Sequence, residues 1–88
     1  MTHRATETFW KRFEALPEHV QKLARKNHRL LEATPRYPSL HFKPLANQDP
    51  PLWSVRVGQD YRALAIAEDG VMYWFWIGTH AEYDSLLS

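Results

Sequence analysis

From Trp53 to Tyr83 the chain reads WSVRVGQDYRALAIAEDGVMYWFWIGTHAEY. Three apolar runs are separated by two short polar breaks, Gly58-Gln59-Asp60 and Glu68-Asp69-Gly70. Branched and aromatic residues dominate the outer runs, and such side chains pack well on a pleated surface. Turns this short join only antiparallel neighbours. The pattern therefore predicts an antiparallel meander over Trp53–Val57, Tyr61–Ala67 and Val71–Gly78. In its first strand Trp53, Val55 and Val57 face one way and Ser54 and Arg56 the other, which puts Arg56 on the face away from any covering helices. In its last strand Val71, Tyr73, Phe75 and Ile77 alternate with Met72, Trp74 and Trp76, and both sets are apolar. That fits a strand covered on both sides, or an aromatic face awaiting a partner.

Upstream the period changes from two to that of a helix. Phe9, Trp10, Phe13 and Leu16 recur at helical spacing behind Thr6 or Thr8 as cap. Leu16-Pro17 ends this helix, because the residue before proline avoids the helical region. Pro17–Ala33 reads as a longer amphipathic helix with Val20, Leu23, Ala24, Leu30 and Leu31 as its stripe and Asn27 interrupting it. Together the two segments predict a helical hairpin covering one sheet face. Residues 1–5 read as a frayed end. Thr34–Pro38 is a proline-stiffened stop, Ser39–Leu45 a short edge strand limited by Pro44, and Ala46–Pro51 a polar loop. Thr79-His80-Ala81-Glu82 is a capping-box pattern that should start a helix over His80–Leu87 and pack Leu86 and Leu87 on the core. The fold class is α+β.

Composition narrows the reading. Eighty-eight residues make one domain, residues 1–88, and 44% hydrophobic with 14% aromatic residues is the composition of a folded chain. With no cysteine there is no disulfide framework and no thiolate metal site, which fits a reducing cytoplasm. No apolar run approaches the ~20 residues that span a bilayer, and the start lacks an apolar signal core. A cytoplasmic protein with no membrane partner is expected. His3, His19, His28 and His41 do not show metal-ligand spacing, so no metal and no other cofactor is assigned. The net charge is only +1, but Lys22, Arg25, Lys26, Arg29 and Arg36 concentrate in one segment. They form a solvated helix face or a patch for a partner.

Two N-terminal helices joined at ALPEHVQKLARK, then PSLHFKPL, then WSVRVGQDYRAL, then WFWIGTHAEYDSLL, resemble the RelE/ParE superfamily of type II toxin–antitoxin toxins. The hairpin VRVGQDYRAL and the strand end IGTHAEY carry most of the likeness, which covers nearly the whole chain. It implies two helices on a twisted antiparallel sheet with an open, concave second face. It implies a cognate antitoxin that wraps the toxin. For the RelE branch it implies a metal-free mRNA interferase acting at the ribosome, an endoribonuclease that blocks translation. The ParE branch shares the fold and poisons DNA gyrase instead, and a degenerate member would only bind its antitoxin.

Carried over residue by residue, the resemblance gives Arg62 the scissile phosphate. Arg56 falls at a basic strand position and would stabilise developing charge. His80 falls at the end of the last strand, where relatives place an Arg or His that acts on the leaving group. Tyr83 is the candidate for stacking on a base, and Lys43 is a further substrate-binding cation at the sheet edge. Ser54 stands where strongly active relatives carry lysine, and the N-terminal strand usual in the family is expected to be missing or much reduced, since TETFWKRFEALP reads as helix. The chemistry agrees with these roles: Arg grips phosphate with two parallel hydrogen bonds but is a poor acid, whereas His titrates near neutrality. Plainer roles stay open beside them. Arg56 and Arg62 can pair with Asp60, Glu68 or Glu82, His80 can be a structural helix-start residue, and Tyr83 can pack in the core.

Overall fold

A computed structural model describes residues 1–88. Its centre is a five-stranded sheet in the order β1-β5-β4-β3-β2. The strands are β1 (Thr2–Ala5), β2 (Lys43–Pro44), β3 (Leu52–Val57), β4 (Tyr61–Glu68) and β5 (Val71–Thr79). Helices α1 (Glu7–Glu14) and α2 (Glu18–Ala33) cover one face, and α3 (His80–Leu87) follows β5 directly. The α+β architecture and the β3–β4–β5 meander match the periodicity of the sequence.

Four expectations are corrected. Residues Thr2–Ala5 are not frayed: they form an edge strand parallel to β5, with Thr2 opposite Val71 and Ala5 opposite Trp74. The N-terminal strand of the family is therefore present. Four residues of mixed polarity show no period of their own, and what orders them is docking against a neighbour already in place. The edge strand expected over Ser39–Leu45 shrinks to Lys43–Pro44, because Pro38–Leu40 winds into a 3-10 turn and His41 takes a left-handed conformation (φ 46°). A register shift between Leu64 and Ala65 pairs Leu64 with Trp76 but Ala65 with Trp74, so Phe75 is an extra residue on β5. This bulge puts Trp74 on the helix-covered face and Trp76 on the other, where simple alternation placed them together. Finally, Leu86 and Leu87 do not reach the core; they are 52% and 39% exposed.

The core lies between helices and sheet. Phe13 of α1 and Val20 and Leu31 of α2 meet Val55 and Val57 of β3, Ala63 and Ala65 of β4, and Met72, Trp74 and Ile77 of β5. Thr6 caps α1 by accepting from the Phe9 amide, and the sequence interruption at Asn27 has a purpose: its amide donates to the Arg56 carbonyl at 3.2 Å. The β3–β4 turn needs glycine. Gly58 has φ +67°, and a Cβ there would stand 2.6 Å from a Leu23 methyl, so α2 and the turn approach as closely as a glycine permits.

Candidate functional site

The face of the sheet away from α1 and α2 is ordered in rows set by the strand register. Arg56 of β3 stands opposite Arg62 of β4, and Arg62 opposite Gly78 of β5. The next row runs Lys43, Ser54, Leu64, Trp76. A third runs Leu52, Ile66, Tyr73, Arg4. Two arginines directly opposite on adjacent strands repel, so the fold gains nothing from the pair as it stands. No carboxylate relieves them: neither Arg56, Arg62 nor Lys43 takes part in an ion pair. The expected alternative partners Asp60, Glu68 and Glu82 do not fill that role.

Arg62 is held instead by neutral groups. Its Nε donates to Nδ1 of His80 at 3.4 Å, and its guanidinium carbon lies 5.4 Å from the centre of the Tyr83 ring. Its Nη1 is buried and has no hydrogen-bond partner. A buried donor left without a partner costs about 1–3 kcal/mol, more when charged. Arg56 turns back on its own turn, donating from Nε to the Gly58 carbonyl at 3.1 Å.

His80 is fixed from three directions. Its backbone N–H donates to the Asp60 carbonyl at 2.7 Å, ahead of the strand that carries Arg62. Its Nδ1 accepts from Arg62, and its Nε2 lies 3.4 Å from the Asp84 carboxylate one helical turn on. An accepting Nδ1 assigns the ring proton to Nε2, on the side of the Asp84 carboxylate. Asp84 thereby orients the imidazole, a role the sequence analysis did not give it, although the i, i+4 spacing from His80 was readable. The Tyr83 ring lies 6.0 Å from that of His80 and 6.4 Å from that of Trp76.

The capping box that positions this turn is complete. Thr79 accepts from the Glu82 amide at 3.1 Å, and Glu82 accepts from the Thr79 amide at 2.8 Å. The Thr79 backbone N–H, and after it the Thr79 hydroxyl and Arg12, hold the Glu82 carboxyl below its ordinary pKa.

The structure therefore brings Arg56, Arg62, His80 and Tyr83 together at one end of the open face, with Lys43 one row away on the edge strand. The basic residues of α2 lie in the helical layer on the other side. Arg25 there spreads over Phe13 (5.0 Å) and Trp10 (5.9 Å), and Lys22 pairs with Glu18. No group of three or more His, Asp or Glu side chains converges in a way that could hold a metal ion, and no helix is long and apolar enough to cross a membrane.

The sequence model of the ParE-like toxin domain matches residues 18–85, which is most of the chain. The chain belongs to the ParE-like toxin family. Solved structures bear out the RelE/ParE fold of this ParE-like toxin over almost its full length. The toxin of the RelB–RelE antitoxin–toxin complex from Methanococcus jannaschii superposes with a TM-score of 0.73 at 14% identity, covering 96% of this chain and 98% of that one. The archaeal RelE–RelB complex from Pyrococcus horikoshii OT3 gives 0.69 at 18% identity, covering 89% and 92%. The YoeB/ParE toxin from Agrobacterium tumefaciens gives 0.67 at 19% identity, covering 91% and 99%. At these identities the ParE-like toxin shares a fold with them and no more. A comparison with curated proteins gives no match.

Proposed function

We propose that this ParE-like toxin is an endoribonuclease that cuts messenger RNA and so blocks translation, held inactive by a cognate antitoxin. The observation that carries the reading is Arg62: a cation with no carboxylate partner, and with an imidazole and an aromatic ring on its flanks. A phosphodiester supplies what that arrangement lacks. The phosphate would settle between Arg62 and Arg56, replacing their mutual repulsion with two charge-assisted contacts. The adjacent 2′-hydroxyl loses its proton to solvent as its oxygen attacks phosphorus, a 2′,3′-cyclic phosphate forms, and the bond to the 5′-oxygen breaks. The two guanidiniums neutralise the charge that builds on the phosphoryl oxygens. Protonated His80 gives its proton to the departing 5′-oxygen. Once Nδ1 carries that proton it no longer accepts from Arg62, so Arg62 Nε turns to the phosphate. Tyr83 would stack on a base beside the cut. The RelB partners in the two archaeal complexes support an antitoxin partner for this chain.

A second reading follows from the family itself: the matching model is ParE-like, and the ParE branch acts on DNA gyrase. Induced expression in bacteria separates the two. Growth arrest with new 5′ ends inside translated messages, lost in Arg62→Ala, is the expected result. Arrest with DNA damage and intact messages transfers the protein to the gyrase branch, and no arrest leaves it a scaffold for antitoxin binding.

A further inference from the structure

The helix that carries His80 and Tyr83 has little to hold it. No residue of α3 is buried, and Leu86 and Leu87 face outward. Its place is set by its first turn, and there a residue from the far layer intervenes. Arg12 of α1 reaches past the edge of β5 that β1, which pairs only as far as Trp74, leaves uncovered. Its Nε donates to the Ile77 carbonyl at 2.8 Å, its guanidinium lies 5.0 Å from the centre of the Trp76 ring, and its Nη2 meets Oε2 of Glu82 at 3.3 Å. Glu82 uses its other oxygen for the capping box. The fit is close: a Cβ on Gly78 would stand 2.7 Å from the Trp76 ring and 2.9 Å from Glu82 Oε1.

We infer that Arg12 is a positioning residue for the site, joining α1 through Glu82 to the turn that sets His80 and Tyr83 against Arg62. A planar guanidinium is needed for this, because one group must donate to a carbonyl, lie on a ring and pair with a carboxylate at once. A lysine can pair with Glu82 but cannot do all three. Arg12 does not touch the ground where a phosphate would lie, so binding and cleavage should part company. The inference rests on the endoribonuclease reading only for its kinetic test.

The test compares wild type, Arg12→Ala, Glu82→Gln and the double variant. Glu82→Gln keeps a capping side chain at the third helical position while removing the charge that Arg12 meets. Affinity for an RNA oligonucleotide carrying 2′-deoxy sugars should stay within about twofold. Single-turnover cleavage of the all-ribose oligonucleotide should fall about tenfold to a hundredfold in each single variant, as a misplacement of about 1 Å produces. The double variant should be no worse than Arg12→Ala, because both changes break one link. Amide hydrogen exchange should rise at Glu82–Asp84 and stay unchanged at Val55 and Ala65. Cleavage at the wild-type rate in Arg12→Ala, or losses that multiply in the double variant, would overturn the assignment. A wild type that cleaves no RNA would remove the endoribonuclease reading alone; the exchange pattern then decides, and unchanged exchange in the first turn of α3 would overturn the role of Arg12.

Discussion

The two faces of the sheet are built on opposite rules. Against the helices, Val55, Val57, Ala63, Ala65 and Ile77 meet Phe13, Val20 and Leu31, apolar groups that gain by leaving water. On the other face two arginines oppose one another, and both buried polar side-chain atoms without a partner, Ser54 Oγ and Arg62 Nη1, belong to residues of that face. The first face is predominantly apolar. The second carries cations that have no carboxylate partner. A small domain has little stability to spare, so unsatisfied polar groups gathered on one face are informative about where a ligand goes.

The contrast can be broken from either side. The largest effects belong to residues at its two extremes. Ile77→Ala, in the helix-side core, should lower unfolding free energy by about 2–5 kcal/mol in urea titrations. Arg62→Ala should do the reverse of what burial suggests. RNA cleavage should fall about a hundredfold to a thousandfold, while stability stays level or rises by up to about 1 kcal/mol as an unpartnered group is removed. An Arg62→Ala protein that is both inactive and unfolded would show that Arg62 belongs to the structure rather than to a ligand.

A smaller effect should come from His3 of β1, which packs on the helix side of the sheet. His3 Nδ1 accepts from the Trp74 indole N–H at 2.9 Å, and the His28 ring stands edge-on at 5.4 Å. Burial first, and then the neighbouring His28, hold the His3 pKa below its ordinary 6.5, against the pull of Glu32. The folded state therefore resists a proton that the unfolded chain accepts. The stability His3 contributes is whole above about pH 6.5 and drains away as pH falls below it. The urea midpoint of the wild type should drop between about pH 7 and about pH 5, and His3→Gln should flatten that slope. An unchanged slope would dismiss His3 as the cause. The smallest change sharpens the comparison: Arg56→Gln should stabilise by a few tenths of a kcal/mol, since one of two opposed like charges goes, and should weaken RNA binding with a shallower salt dependence.

Much of this was legible because the signals were local. The meander announced itself through branched and aromatic residues between two-to-three-residue turns. The start of α3 announced itself through Thr79 and Glu82, and Arg62 and His80 through the resemblance carried by the hairpin and the strand end in which they lie. What escaped depended on distant partners. β1 has no periodicity, and its order comes from β5. The bulge at Leu64 and Ala65 is a matter of register between strands, which a single strand does not encode, and it moved Trp76 to the open face. Asp84 could be found by its spacing from His80, but only once His80 had a role. Arg12 lies among the charged positions of an amphipathic helix, where nothing local marks it out. Its meeting with Ile77 and Glu82 joins parts of the chain far apart in sequence.

That β1 runs beside β5, Thr2 opposite Val71, also bears on how the molecule comes into being. Pairings between such distant stretches are slow to form, because a long loop must close before any bond rewards it. A nascent chain that has not yet reached Val71 has nothing against which to lay its opening strand. The stretch it still lacks ends in the turn that brings His80 to Arg62. One late segment thus finishes both the sheet and the site, and until it emerges the ribosome carries a polypeptide that has no shape to act with.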